Sequence, residues 1–197
     1  MRLKPKQLMK HGNDQLLNII EGCKKGDGEC QKKLFEMYYG RMLGVCARYA
    51  ANIDEAKDFA QEAFVIIFNK IVDYEGSGSF EGWMRRIMVN KSIDFLRRQK
   101  KVTFSIDKYE RYEPEDTEED EDESMYSGIS KEQIAQAIQK LPPAYRAVFN
   151  LYAIDGLTHN EIADELGISA GTSKSNLAKA RAKLKKSLRK YLNYQDV

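Results

Sequence analysis

The stretch LTHNEIADELGISAGTSKSNLAKARAKL, Leu157 to Leu184, decides how the chain is read. Thr158 and Glu161 have the spacing of a capping box, in which each side chain satisfies the other residue's backbone N–H. They open a short helix with Ile162, Ala163 and Leu166 on its apolar side. Gly167 suits the turn that follows, because a left-handed backbone costs glycine nothing. Ser169 is placed to cap a second helix, on which Leu177, Ala180, Leu184 and Leu188 share one side. Lys174, Ser175, Ala178 and Lys179 point elsewhere, near that helix's N-terminal end. The order of short helix, glycine turn and capped second helix is the helix-turn-helix of a DNA reader. Between Leu166 and Gln195 there are eight basic residues and no acidic one, so the charge bias coincides with the turn. A basic amphipathic helix that binds a protein partner is the competing explanation.

Working back from that stretch, Ser130 and Gln133 form a second capping box. They open a helix with Ile134, Ala137, Ile138 and Leu141 on its apolar stripe. Pro142 and Pro143 end it, since neither donates a backbone hydrogen bond. Another helix carries Tyr145, Val148, Phe149 and Tyr152 and closes near Asp155–Gly156.

Upstream lies an acidic block. Asp107 to Glu123 holds 11 acidic and 2 basic residues, so the formal net charge of +2 hides a basic protein with an acidic insert. Like charges in a run repel and bury no apolar surface, so residues 106–128 read as a flexible linker.

Before the linker the chain again reads as helices. Asn13 or Asp14 is expected to cap one with Leu16, Leu17 and Ile20. A longer one carries Leu34, Phe35, Tyr38, Met42, Val45, Cys46 and Tyr49. The next is expected to start at an Asp54 cap and run to about Val72, with Ala56, Phe59, Ala60, Ala63, Ile67 and Ile71 on one side. Asp58, Gln61, Glu62 and Asn69 lie on the other. A loop of small residues, Glu75 to Ser79, precedes a stretch with Phe80, Trp83, Ile87, Ile93 and Leu96. Only Val102 to Ile106 hints at a strand. From Arg85 to Lys101 there are seven basic residues against Asp94 alone, and Tyr74, Phe80, Trp83 and Phe95 are interleaved. Cations that meet phosphates and rings that stack on bases suit a single-strand or melted-duplex surface. Rings buried in a core beneath a solvated basic face would give the same composition.

The fold class is therefore all-α, with two small helical domains joined by an acidic flexible linker. The expected bounds are a basic tail over 1–12, a first domain over 13–105, the linker over 106–128, a second domain over 129–192 and a short tail over 193–197. The longest apolar run, Ala63 to Phe68, is far below the roughly 20 residues of a membrane-spanning helix. No apolar stretch follows the basic N-terminus to make a signal peptide. Cys23, Cys30 and Cys46 have no metal-ligand spacing, and their odd number argues against a disulfide framework. A cytoplasmic protein with reduced thiols is expected. No phosphate-cradling glycine loop, zinc spacing or catalytic triad is present, so no enzyme, cofactor, metal or small-molecule substrate is expected.

Four blocks make the reading specific. They are DEAKDFAQEAFVIIFNKIVDY (Asp54–Tyr74), SFEGWMRRIMVNKSIDFLRR (Ser79–Arg98), LPPAYRAVFNLYAIDGLTHNEIADELGIS (Leu141–Ser169) and GTSKSNLAKARAKL (Gly171–Leu184). In this order and spacing the chain resembles bacterial RNA polymerase sigma factors of the extracytoplasmic-function group, the smallest type of the sigma-70 family. The resemblance implies a region 2 bundle that binds core polymerase and the −10 element, and a region 4 helix-turn-helix that binds the −35 element. It implies that Asp58, Gln61 and Glu62 dock on the clamp coiled coil of the largest catalytic subunit. Such a stripe can meet arginines bidentately. The second domain would lie near the flap of the other large subunit.

The resemblance further implies that Tyr74, Ser77, Ser79, Phe80, Trp83, Arg86, Asn90, Arg97 and Arg98 serve the −10 element as the strands separate. Arg85 and Lys91 are further phosphate candidates. Asn90 either contacts a base or caps a helix carrying Asp94. Thr172, Lys174, Ser175, Ala178 and Lys179 match the positions that face the −35 major groove. Ser173 stands where the family commonly has an aliphatic residue, and Lys174 and Asn176 where arginine is frequent. Lysine lacks the planar fork that reads guanine bidentately, so the −35 preference departs from the usual pattern. His159, at the start of its helix, is expected to face solvent.

The two elements lie roughly 20 base pairs apart, or about 70 Å. A relaxed coil of about 24 residues spans roughly 25–30 Å, so the linker must stretch in the working complex. Its acidic run either occupies a basic polymerase channel until growing RNA expels it, or keeps a basic protein soluble. Members of this group are commonly held by an anti-sigma factor, often membrane-bound. Two other classes remain: a helix-turn-helix regulator that binds duplex DNA without polymerase, and a sigma-like decoy. The first has no need of the Trp83–Arg98 block. The second has no need of so acid-free a stretch from Lys174 to Arg189.

Overall fold

The computed structural model describes residues 5–98 and 128–192. It divides into two compact units, Met1–Ser92 and Ile93–Val197. Among the described residues every regular element is helical.

The first unit holds α1 (Pro5–Lys24), α2 (Gly28–Ala47), α3 (Ile53–Lys70), a 3₁₀ turn at Ile71–Asp73 and the start of α4 (Phe80–Arg98). Asp27 caps α2 by accepting from the Glu29 and Cys30 backbone N–H groups at 2.8 and 3.1 Å. The apolar residues at three- and four-residue steps face inward, as their period requires. Leu34, Met42, Cys46, Tyr49, Phe59, Ile67, Ile71, Met84 and Met88 are all fully buried. These residues hold α3 and α4 with their polar sides outward.

Two expected boundaries move, and one apolar residue is exposed. The first helix begins at Pro5 and not at an Asn13 or Asp14 cap. Proline is tolerated in a first turn, and Gly12 inside the helix costs only about 1 kcal/mol. Leu17, assigned to the apolar side, is half exposed, while Ile19, Ile20 and Cys23 are buried. Asn52, not Asp54, caps α3, accepting from Glu55 N–H at 2.9 Å. Asp54 lies in the first turn and pairs with Lys57 at 3.0 Å.

The second unit holds α5 (Lys131–Gln139), α6 (Pro143–Phe149), a π-helical turn at Asn150–Ile154, α7 (His159–Leu166) and α8 (Ala170–Leu192). Both capping boxes form, Ser130 with Gln133 and Thr158 with Glu161. Gly167 adopts the left-handed conformation at φ 66°, and Ser169 Oγ accepts from Thr172 N–H at 3.0 Å. Val148, Leu151, Ile162, Leu166, Leu177 and Ala180 form the core that fixes α7 and α8 in place. A fully buried leucine or isoleucine is worth about 2–5 kcal/mol against truncation to alanine. Cys23, Cys30 and Cys46 are free thiols. Most of the linker and the Val102–Ile106 stretch lie outside the described residues.

Candidate nucleic-acid interface

The polar side of α3 is a solvent-facing stripe. Asp58, Gln61, Glu62 and Asn69 are exposed, and Val65 among them is 59% exposed. Behind them Ala56, Phe59, Ala60, Ala63 and Phe64 are buried. Glu62 is already paired: its carboxylate lies 2.7 Å from the Lys91 ammonium of α4. Lys91 is thereby turned toward α3.

Between α3 and α4 the chain makes a compact loop. Gly76 and Gly78 have φ of 79° and 96°, values L side chains rarely adopt. The Tyr74 hydroxyl donates to the Gly78 carbonyl at 2.9 Å and closes the loop on itself. Ser77 and Ser79 are exposed, and Ser79 Oγ accepts from Gly82 N–H at 3.3 Å. Tyr74, Phe80 and Trp83 form one ring cluster, with centroids 5.0 Å apart for Tyr74–Phe80, 5.4 Å for Tyr74–Trp83 and 5.5 Å for Phe80–Trp83. Phe80 is buried, whereas Tyr74 and Trp83 keep part of their rings open. From Trp83 the exposed side of α4 continues through Arg86, Asn90 and Arg97 at three-, four- and seven-residue steps, with exposed Arg98 beside them. A partly open aromatic edge thus runs into a basic stripe along one helix.

On α8, Lys174 and Ala178 are exposed and Thr172 and Ser175 half-buried. Thr172 Oγ1 lies 2.9 Å from Ser169 Oγ, within the turn that starts the helix. Arg181 continues the Lys174–Ala178 stripe, exposed, with its guanidinium 5.7 Å from the Tyr152 ring. Sequence reasoning missed Arg181, although the seven-residue step from Lys174 was there to be read.

Two family models match the chain: sigma-70 region 2 over residues 34–102 and sigma-70 region 4 over 131–184. SigW, an ECF RNA polymerase sigma factor of Bacillus subtilis, is 34% identical over 185 residues, covering 86% of this chain and 95% of the relative. The chain belongs to the ECF RNA polymerase sigma factors.

SigE of Mycolicibacterium smegmatis is 29% identical over 81% of the chain, which spans 62% of that longer relative. The ECF sigma-E factor of Escherichia coli is 28% identical over 85% of the chain and 90% of its own length. The ring cluster and basic stripe of this sigma factor lie within region 2, and the Lys174–Arg181 stripe within region 4.

The structure corrects several expectations for this sigma factor. Lys179 is buried, its ammonium 5.9 Å from the Tyr145 ring of α6, so it does not face a groove. Phe80 is a core ring that supports Trp83 and offers no face to a base. Asn90 sits in the middle of a continuous α4, so it caps nothing and its exposed amide points outward. Asn176, where arginine is frequent in the family, is buried. Ser173, in the place of an aliphatic residue, is fully buried, and its Oγ lies 2.9 Å from His159 Nδ1. The His159 ring is half-buried and stacks on Tyr152 at 4.8 Å, so it packs against a neighbour as well as meeting solvent.

Burial, and then the charges of Lys174 and Arg181, hold the His159 imidazole below its ordinary value of 6.5. Below that value the unfolded chain takes up the proton before the folded one, so stability falls with pH through the window beneath 6.5. Thermal melts of the wild type and His159→Gln are expected to separate as the pH is lowered from about 7.5 to about 5.5, the wild type losing more. Parallel melts would remove His159 from the acid sensitivity of region 4.

Proposed function

We propose that the two units divide the work of promoter recognition between them. The α3 stripe of Asp58, Gln61 and Glu62 docks on the clamp coiled coil of the polymerase. The Tyr74–Ser79 loop and the Trp83–Arg98 face hold the −10 strand once the duplex parts. Lys174, Ser175 and Ala178, with Arg181 added and Lys179 withdrawn, face the −35 duplex. Catalysis stays with the polymerase, in the cytoplasm, and this chain supplies sequence choice and strand capture. An anti-sigma factor that covers these surfaces is the partner the family implies.

The observation that carries the region 2 assignment is the half-open Tyr74–Trp83 pair beside Arg86 and Asn90. Unstacking costs a few kcal/mol per step, and stacking on aromatics returns roughly 1–3 kcal/mol per base. Rings and cations together can therefore hold open what either alone would not. A duplex-binding regulator has no use for such an edge.

The region 4 assignment is tested on duplex DNA bound by holoenzyme. Lys174→Ala is expected to weaken binding about equally across sequences and lower the salt slope by about 1 if it meets phosphate. If it meets a guanine, discrimination at one position relaxes by about 1–3 kcal/mol. Unchanged affinity, slope and sequence preference would take Lys174 out of the interface.

A further inference from the structure

Arg41, on α2, adjoins the ring cluster. Its guanidinium stands 4.7 Å from the centroid of the Tyr38 ring. Tyr38 in turn meets Phe80 edge-on at 6.1 Å, and Phe80 stacks on Trp83 at 5.5 Å. A line of aromatic contacts therefore runs from the half-open Trp83 to a cation on a different helix. Arg41 Nη1 also donates to Glu81 at 2.6 Å, and Glu81 lies in the first turn of α4. Arg41 Nη2 reaches the Met37 carbonyl at 3.5 Å, at the limit of a useful hydrogen bond. The Arg41 side chain is nevertheless 58% exposed.

We propose that Arg41 is a further nucleic-acid contact of this sigma factor, holding a phosphate of the separated strand at the α2 end of the Tyr74–Trp83 edge. The proposal deepens the reading of that edge as a strand-binding surface and rests on it. Three features favour it over an ordinary surface ion pair. The guanidinium is held against a ring face and bonded along one edge, so its plane is fixed before a ligand arrives. Its five N–H donors exceed what Glu81 and Met37 take up. A planar fork held in this way loses little freedom when it grips a phosphate. Glu81 then has a second role: its carboxylate fixes Arg41 and also repels the strand.

That double role gives the test its sign. If Arg41 and Glu81 only brace α2 against α4, removing either does the same harm. If Arg41 holds a phosphate, the two substitutions act in opposite directions. The probe is a labelled fork template, duplex upstream and single-stranded across the −10 block, of a promoter selected by the wild-type holoenzyme. Arg41→Ala is expected to weaken holoenzyme binding about fivefold to tenfold and to lower the salt slope by about 0.7, one single-strand phosphate. Arg41→Lys is expected to keep the slope and recover part of the affinity. Glu81→Gln keeps an oxygen acceptor for Arg41 Nη1 and removes only the repelling charge, so it is expected to strengthen binding. Core polymerase affinity and thermal melts of the three variants are expected to match the wild type.

Trp83→Ala, measured on the same template, separates the two levels of the claim. Weakening by Trp83→Ala without weakening by Arg41→Ala would overturn the inference and leave the strand-binding edge standing. No weakening by either would overturn both. Weakening by both Arg41→Ala and Glu81→Gln, or a loss of core affinity in Arg41→Ala, would also overturn it.

Discussion

Asp58→Lys combined with Glu62→Lys is expected to lower the affinity for core polymerase by about a hundredfold or more. Truncating one partner of a desolvated charge pair at an interface costs about 2–5 kcal/mol, and reversal adds repulsion. Both carboxylates lie on the exposed side of α3, whose opposite side fills the core. Asp58→Lys should leave the fold intact, within the roughly ±0.5 kcal/mol of ordinary surface changes, whereas Glu62→Lys also sets a second ammonium beside Lys91, so a thermal melt of the double variant accompanies the binding measurement. Glu62 needs separate treatment because Lys91 already holds it. Glu62→Gln removes one charge without reversing it, so its effect on core affinity should be smaller than that of Asp58→Lys. Titration of labelled core polymerase with each variant measures this. Wild-type affinity in the double variant would remove the α3 stripe from the docking surface.

Trp83→Ala should act on a different step. Loss of a base-stacking ring is worth about 1–3 kcal/mol, or roughly fivefold to a hundredfold in the population of open complex. Duplex binding through region 4 and assembly with core should stay at wild-type levels. Part of the Trp83 ring packs on Phe80, so the alanine variant also loses some fold stability. Trp83→Phe separates the two effects, since it keeps a ring on Phe80 and a face for a base. It is expected to open promoters several times better than the alanine variant. Permanganate reactivity of unpaired thymines reports the opening directly. Equal opening by all three proteins would assign Trp83 to the core alone.

How much of this was legible in the sequence depended on whether the signal was local. Thr158 with Glu161, Ser130 with Gln133, and Gly167 each fold as their spacing dictates, because caps and a left-handed turn are settled within a few residues. Lys179 was misplaced for the opposite reason. It lies at the edge of the α8 stripe, next to buried Asn176 and Ala180, and the Tyr145 ring of another helix lies beside it. Periodicity gives the centre of a helix face, whereas tertiary neighbours decide its margins. The His159–Ser173 contact spans two helices, so no local pattern announces it. Arg41 is a similar case: its partner Glu81 is forty positions away, and only the packing of α2 against the start of α4 joins them.

The same division applies along α8 and α4. On α8 the charge pattern did not separate Arg181, which is exposed, from Lys179, which lies on the buried margin. On α4 the sequence mixed outward and inward cations. The structure sorts them: Arg86, Arg97 and Arg98 are exposed, whereas Lys91 turns to Glu62.

The central claim is that two separate surfaces of one chain read two separated promoter blocks for RNA polymerase. Transcription by purified core polymerase, with and without this protein, tests it most directly. The template pool is random across both promoter regions, and the transcripts and their templates are sequenced. Starts that depend on the protein, with two enriched blocks, are predicted. Trp83→Ala should lower the enrichment of the downstream block and Lys174→Ala that of the upstream one. An absence of protein-dependent starts, or loss of the same block by both variants, would contradict the account.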